Sequence, residues 1–314
     1  MSHKLHLALA VLICGLAAAQ ENTAITGQWA IDGLPVADKV ELTIHRRSAR
    51  SNMTSSSALP LDQLRGLTAA QMNSAAGATV KFAITREAGS LECEGYFKNG
   101  RGGGTFAFAP NPAFATQMQS LGYDGLSSDM VFHMAVHDVT AQYVRDLRRL
   151  GAAPSSAEQL LAMRIHNVSI EYIEEMKALG YTNLASDKLI AMRIHGVTPA
   201  FVREFNGLGY RPGSDDLVTM RIHGVNGAFA KELKSLGHDS VSVDQMVTMK
   251  IHGASAEFVK KVKDLGYDRV SIDQLVSMRI HGVSPEYIQS LRARGMRDLS
   301  IDQLVSLRIH GIVD

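Results

Sequence analysis

The chain has 314 residues, of which 46% are hydrophobic and 20% charged, and its formal net charge is +1 at pH 7. This composition is typical of a globular protein rather than a disordered one, because enough apolar side chains are present to build a core. A net charge so close to zero argues against nucleic acid or an anionic membrane as the main partner, since both select proteins with excess Lys and Arg. The length is sufficient for two domains.

Residues 1–19 have the layout of a secretory signal peptide. Lys4 precedes an apolar run over 5–16, and Ala17-Ala18-Ala19 supplies the small residues of a cleavage site before Gln20. The run is shorter than the roughly 20 apolar residues of a transmembrane helix, and no later run approaches that length. We predict a secreted or periplasmic protein without a transmembrane segment after signal cleavage.

Cleavage after Ala19 leaves Cys93 as the single cysteine of the mature chain, which excludes an intramolecular disulfide. Apolar and polar residues alternate around Cys93, and no His or basic cluster lies next to it in sequence to lower its pKa. We therefore predict a buried, unreactive thiol. Cys14 follows the bulky Ile13 where lipid attachment favours a small residue, which argues against a lipoprotein.

The segment 20–110 shows the period of two that is typical of β-strands, with Val40, Leu42 and Ile44 alternating with polar residues. We predict a small antiparallel β-sandwich or partly open barrel with a short helix near 61–72. The glycine-rich segment 99–104 is interpreted as a hairpin turn next to a sheet edge, because the Lys and Ser or Thr of a phosphate loop are missing. The predicted strands cover 25–31, 40–44, 79–86, 91–98 and 105–108.

A unit of 28 or 29 residues repeats from about Asn111 onwards. Six copies contain a basic residue, Ile and His in succession, usually followed by Gly, and a degenerate first copy has Ala135-Val136-His137. So regular a spacing is typical of stacked repeats rather than of one closed core. The predicted fold class is α+β multidomain, with the β domain at 20–110 followed by an all-α solenoid of seven αα-hairpin repeats at 111–314. The units start near residues 111, 140, 169, 198, 226, 255 and 284.

Each unit carries start and stop signals for two helices. In the last unit, Ser284 can cap the first helix, Pro285 suits its first position, and Gly295 suits its left-handed end. The second helix begins with a capping box of Ser and Gln three residues apart. The predicted boxes are Ser156–Gln159, Ser242–Gln245, Ser271–Gln274 and Ser300–Gln303.

The repeated His is interpreted as a structural residue at a helix end, where it complements the helix dipole when protonated. Equivalent residues of stacked helices lie roughly 10 Å apart and cannot share a metal ion. No metal and no cofactor are predicted, and a pH-sensing or ligand-contacting row is the alternative. The row consists of His137, His166, His195, His223, His252, His281 and His310.

A second repeated feature is a basic column on the predicted first helices, which is the candidate partner-binding surface. Such a column can present positive charge to an acidic peptide or an anionic glycan. Its members are Arg148, Lys177, Lys234, Lys263 and Arg292.

The unit G-Y-x-x-x-S-x-D-Q-L-V-x-x-R-I-H-G-V-x-P-E-Y, as in 266–287, resembles repeats of bacterial extracytoplasmic proteins. It is similar to repeats in the tails of some beta-lactam-sensor-type membrane metallopeptidases. This resemblance implies a bacterial envelope setting and a role in sensing or association. Protease activity is not implied, because the transmembrane helices and the HExxH motif of the peptidase are missing from this sequence.

The sequence also lacks G-x-S-x-G, CxxC and P-loop motifs. We therefore predict a non-catalytic secreted or periplasmic interaction scaffold that binds a protein, a peptide or an anionic polymer through its helical repeats. The alternative is an unrecognised envelope hydrolase with its site in the β domain or where that domain joins the first repeat.

Overall fold

A computed structural model describes residues 24–33, 36, 38–47 and 52–311. The predicted signal peptide at 1–19, including Cys14, lies outside the described residues. Two compact units divide the chain: Met1–Thr85 with Gly89–Pro110, and Arg86–Ala88 with Asn111–Asp314. None of the helices within the described ranges has the length and apolar character needed to cross a membrane.

The first unit contains a six-stranded antiparallel sheet in the order β3-β2-β1-β6-β5-β4. A 3-10 turn at Leu61–Gln63 and a short helix α1 at Ala69–Met72 lie between β3 and β4. All six strands belong to this one sheet within the described residues, so the expectation of a two-sheet sandwich is wrong. The strands are β1 Ile25–Asp32, β2 Lys39–Arg47, β3 Asn52–Pro60, β4 Ala78–Arg86, β5 Gly89–Lys98 and β6 Arg101–Pro110.

One face of the sheet forms the core, as the alternation in β2 predicts: Val40, Leu42 and Ile44 are all buried. Strand β3 was not predicted from sequence, because its Ser-rich sequence has no apolar alternation. This strand pairs along its whole length with β2, and the Ser56 and Thr43 hydroxyls share a hydrogen bond of 2.9 Å. Pairing to a neighbour, rather than burial, therefore defines this edge strand.

The predicted hairpin turn at 99–104 is present only over its first two residues, and the glycines at 102–104 lie in the central strand β6. The reversal occurs at Asn99 and Gly100, whose φ angles of 51° and 79° fit a type I′ hairpin turn. Gly104 lies within β6 opposite Trp29 of β1, whose indole Nε1 donates to the Glu94 carbonyl oxygen at 3.1 Å. Glycine is needed at 104 because an added Cβ would overlap the Glu94 carbonyl oxygen of the neighbouring strand β5.

Cys93 lies on the buried face of β5 and is 2% exposed. Burial, with a smaller contribution from the charge of Glu92, raises the pKa of the Cys93 thiol to about 12. The predicted burial of Cys93 is confirmed, and the raised pKa keeps its thiol protonated at neutral pH.

The second unit contains fourteen helices of nine residues each within 111–311, arranged along the chain as seven pairs. We call the even-numbered member of each pair the first helix and the odd-numbered member the second helix. The helices are α2 Pro112–Ser120, α3 Ser128–Val136, α4 Ala141–Arg149, α5 Ala157–Ile165, α6 Ile170–Ala178, α7 Ser186–Ile194, α8 Pro199–Gly207, α9 Ser214–Ile222, α10 Gly227–Ser235, α11 Val243–Ile251, α12 Ala256–Asp264, α13 Ile272–Ile280, α14 Pro285–Ala293 and α15 Ile301–Ile309.

Polar side chains cap most of these helices. The predicted reciprocal capping boxes at Ser242, Ser271 and Ser300 are all present. The prediction for Ser156 is only half correct. Its hydroxyl accepts from the Gln159 backbone, but the Gln159 side chain donates to Asp187 of the next pair at 2.7 Å.

Helices pack against the equivalent helix of the next pair. Each second helix contacts the next one from α3 to α15, and the first helices do so from α2 to α8 and from α10 to α14. A fully buried methionine near the end of each second helix from α3 to α13 fills the core of this contact, as Met220 does in α9. Short helices of this kind are marginal alone, so their stability comes from neighbouring pairs.

Candidate functional site

The basic residue that precedes each repeated Ile-His pair has its side chain held by contacts within the protein. Its cation lies over the aromatic ring of the first helix of the same pair, at 4.2 Å for Lys250 over Phe229 and 5.1 Å for Arg164 over Tyr143. Arg164 Nε also donates to the His137 carbonyl oxygen of the preceding pair at 3.1 Å. The further pairs are Arg193–Tyr172, Arg221–Phe201, Arg279–Phe258 and Arg308–Tyr287.

The aromatic rings under these cations are buried, as the sequence predicts for a core position. Where the ring is tyrosine, its hydroxyl can donate to the chain that follows the second helix. Tyr143 donates to the Val168 carbonyl oxygen at 2.6 Å, and Tyr172 donates to that of Val197 at 3.1 Å. Burial raises the pKa of Tyr172 to about 12, although the charge of Arg193 opposes this shift.

Tyr172→Phe is expected to lower the free energy of unfolding by about 1 kcal/mol at neutral pH, because the Val197 carbonyl loses its donor. The raised pKa of Tyr172 stabilises the fold below pH 10, and this contribution is lost as the pH rises from 10 to 12. The variant should therefore lose stability less steeply over this range in urea unfolding followed by circular dichroism. Phe201 holds the equivalent place in the next pair, so the ring itself is accommodated. Identical alkaline slopes would contradict the assignment.

Four of the five residues in the predicted basic column donate to backbone oxygens within the protein. Lys177 Nζ lies 3.3 Å from the Leu150 carbonyl oxygen, and Lys263 Nζ lies 3.1 Å from that of Leu236. Each of these carbonyls belongs to the residue that ends the first helix of the preceding pair. A cation at that end complements the helix dipole. Arg148 and Arg292 donate in the same way to Leu121 and Leu265.

The column is interrupted in the pair α8–α9, where Asn206 occupies the equivalent position. Lys234 of the next pair lines an open cavity of about 280 Å³ together with Tyr210 and Asp239. The basic side chains therefore do not form one continuous positive strip, and most of them connect successive pairs.

Each His of the repeated row occupies the residue that ends a second helix, from His137 to His310. Its backbone N–H, rather than a side-chain bond, satisfies the helix end. Burial, with the charges of His133 and Arg164, lowers the pKa of His137. Over the described ranges, no group of three or more His, Cys, Asp or Glu side chains is arranged to hold a metal ion.

The residue before each His is an exposed isoleucine, which the sequence analysis had not recognised as a surface feature. The exposed fraction of these side chains runs from 48% at Ile165 to 56% at Ile309. Large apolar groups this exposed are unusual when they occur in a series, because burying such a side chain fully contributes about 2 kcal/mol. The Ile–His row comprises these isoleucines and the His that follows each: Ile165, Ile194, Ile222, Ile251, Ile280 and Ile309, with His166, His195, His223, His252, His281 and His310.

Neither residue of the Ile–His row changes over six units, although neighbouring surface positions do. Three residues before each Ile, the partly exposed side chain is Ala, Thr or Ser. Since a half-exposed position at a helix end tolerates polar residues, packing alone does not explain why isoleucine is retained. The repetition is therefore a signal for a contact outside the helix pair.

An acidic residue lies on the same helical face, seven positions before each Ile. Seven residues are close to two helical turns, so the acid and the Ile lie about 10 Å apart along the helix. All six acidic side chains are exposed, and Asp215 pairs with Lys188 of the preceding helix pair. The acidic row comprises Glu158, Asp187, Asp215, Asp244, Asp273 and Asp302.

The second concave surface lies on the polar face of the sheet and has a cavity of about 1060 Å³ that extends over five strands. Its carboxylates, Glu92 and Glu94, are exposed. Lys81 pairs with Glu94 at 2.8 Å, and the Ser90 hydroxyl donates to Glu92 at 2.6 Å. This is the arrangement of a hydrated sheet face rather than of the buried carboxyl group that general acid catalysis requires. The cavity is also lined by Thr26, Gln28, His45, Thr54 and Thr105.

A scan against protein-family models, a search of curated proteins and a search of solved structures each found no match to this chain.

Proposed function

We propose that this protein is a non-catalytic, secreted or periplasmic scaffold whose helical repeats form a solenoid that binds a protein partner. The observation that carries the proposal is the Ile–His row, in which half-exposed isoleucine recurs at one position of six successive helix pairs. Contiguous apolar surface on a soluble protein is typical of an interaction site. A stacked array is suited to such a role because each pair repeats the same contact along an extended surface.

The envelope setting of this proposal rests on the sequence of residues 1–19 and on the resemblance of the repeats to those of extracytoplasmic proteins. The basic column is a weaker candidate for the binding surface than the Ile–His row. Four of its side chains already hold backbone oxygens of the preceding helix pair, as Lys263 holds Leu236, and moving them would uncap those helices.

The proposal is tested by crosslinking capture from a cell-envelope extract with three purified proteins. One is the parent, the second carries serine at Ile194, Ile222 and Ile251, and the third carries valine at the same positions. Serine removes the apolar row at side chains that are 54% exposed, whereas valine retains it. We expect the parent and the valine variant to capture the same protein and the serine variant to lose it while keeping its helical circular dichroism.

A fourth protein separates the two surfaces. It carries glutamine at Lys177, Lys234, Lys263 and Arg292. We expect this variant to retain the partner but to unfold at a lower urea concentration, since three of these four residues donate to helix ends. If the glutamine variant loses the partner and the serine variant retains it, the binding surface is the basic column. Absence of any captured protein would overturn the scaffold proposal.

A further inference from the structure

We infer that the partner element bound by the Ile–His row is an amphipathic α-helix with an apolar stripe that has acidic residues on one side and basic residues on the other. This inference rests on the proposed function and specifies the partner of the same surface. Its basis is the docking strip, defined as the face of the second helices between the acidic row and the Ile–His row.

The width of the docking strip matches one helix. The acidic row and the isoleucines are separated by seven residues, or about 10 Å along each second helix. Between them lie small or aliphatic side chains, such as the partly exposed Thr219 and Val218 in α9, and the residue equivalent to Val218 is buried in α5, α11 and α13. An α-helix with its side chains is about 10–12 Å across. A single helix therefore covers the strip.

The spacing along the strip also matches a helix. Packed helices lie about 8–10 Å apart, so consecutive isoleucines follow one another at about that interval. In a partner helix, residues seven apart lie on one face and are separated by about 10.5 Å. One apolar residue per heptad can therefore contact each isoleucine in turn, with small adjustments along the helix.

The charges on the two edges of the docking strip determine which charges the partner helix should carry on each side of its apolar stripe. One edge carries the acidic row, which is exposed in all six pairs. The other edge carries the basic residue before each Ile and the His after it, and the Arg164 side chain is 27% exposed there. An apolar stripe with lysines on one flank and glutamates on the other is complementary to both edges, and the order of the charges fixes the direction of the bound helix.

The test uses fluorescein-labelled synthetic peptides of four heptads with Leu at position d and Ala at position a, a pattern that limits self-association of the peptide. The split-flank peptide carries Glu on one side of the stripe and Lys on the other. A second peptide has Gln on both flanks, and a third has Lys on both flanks. Binding to the full chain is measured by fluorescence anisotropy, and helix formation by the bound peptide is measured by circular dichroism.

We expect saturable binding of the split-flank peptide with an increase in helicity. Affinity should fall at least about tenfold with the serine variant at Ile194, Ile222 and Ile251, and less than about threefold with the valine variant. The peptides with Gln or Lys on both flanks should bind more weakly than the split-flank peptide. Equal binding of all three peptides, or equal binding to the parent and the serine variant, would overturn the inference.

Sedimentation of the parent and the serine variant provides the second readout. Both should be monomers; a dimer of the parent that the serine variant loses would identify a second copy of this chain as the occupant and would overturn the helix assignment. If the capture experiment succeeds and no peptide binds, the inference fails while the proposed scaffold function stands.

Discussion

Gly104→Ala is expected to lower the free energy of unfolding of the sheet unit by about 3 kcal/mol or more. Gly104 lies in the central strand β6 opposite Gly95 and beside Trp29. An added Cβ would overlap the Glu94 carbonyl oxygen and approach the Gly95 Cα to 2.6 Å, and both of these atoms are backbone. Relief would require the two strands to separate, which breaks their hydrogen bonds.

Trp29 is the only tryptophan in the sequence, so its fluorescence reports on the sheet unit alone. Gly103→Ala is the matched control, because a Cβ there would lie 3.5 Å from the Trp29 carbonyl oxygen, an ordinary contact. We expect this neighbouring substitution to change the free energy of unfolding in urea by less than about 1 kcal/mol. Equal losses for the two alanine variants would show that the close approach of the strands is not what requires glycine.

Phe205→Ala is expected to lower the free energy of unfolding of the helical unit by about 3–5 kcal/mol. Phe205 in α8 is 0% exposed, and its ring makes edge contacts with Phe201 at 5.1 Å and Tyr210 at 5.9 Å between centroids. Removing the ring loses its transfer energy and leaves a cavity between aromatic neighbours. The loss should be visible in urea unfolding and as faster amide exchange in α8.

Ile222→Ala serves as the comparison in the same helix pair. Its side chain is 54% exposed, so truncation should cost only about 1 kcal/mol in the free energy of unfolding. A cost close to that of Phe205→Ala would mean that the isoleucine is needed for packing, and the case for an external contact at the Ile–His row would be lost.

The local structure of the helical unit could be predicted from sequence because its signals are short-range. Ser300 and Gln303 form the box that their spacing predicts, and Gly295 adopts the left-handed conformation expected at a helix end. The α+β class and the strands of regular alternation could be predicted for the same reason. Capping and alternation depend on a few neighbouring residues, which the sequence contains in full.

The features that could not be predicted depend on contacts between distant residues. The Gly102–Gly104 segment resembles a turn until β6 is known to pair with β1, where Trp29 lies opposite Gly104 although it is 75 positions away in sequence. Likewise, β3 is defined by its pairing with β2 and not by its own apolar pattern. The glycine-rich composition of 102–104 was therefore interpreted as a turn, and the Ser-rich composition of β3 gave no strand prediction. In both cases tertiary contacts outweighed local preference.

The sequence indicated the basic column as the candidate surface, instead of the Ile–His row, for a related reason. Lys177 and Arg292 looked like free cations because their backbone acceptors lie 27 positions earlier in the chain. The exposure of Ile222 was not predicted, because a helical pattern does not distinguish the final exposed position from the buried ones before it. Its relation to Asp215, an exposed acid seven residues earlier on the same face, was the signal that would have identified it.

The contacts that connect successive helix pairs have a consequence for how this protein can change in length. Lys263 and Arg292 each reach a carbonyl 27 positions back, and Arg148 and Lys177 do the same in their pairs. Excision or duplication of a whole 29-residue segment would bring equivalent partners together again at the new junction. Gene-level gain or loss of entire units can thus lengthen or shorten the array without a new interface having to evolve, whereas a partial deletion would leave a mismatched junction.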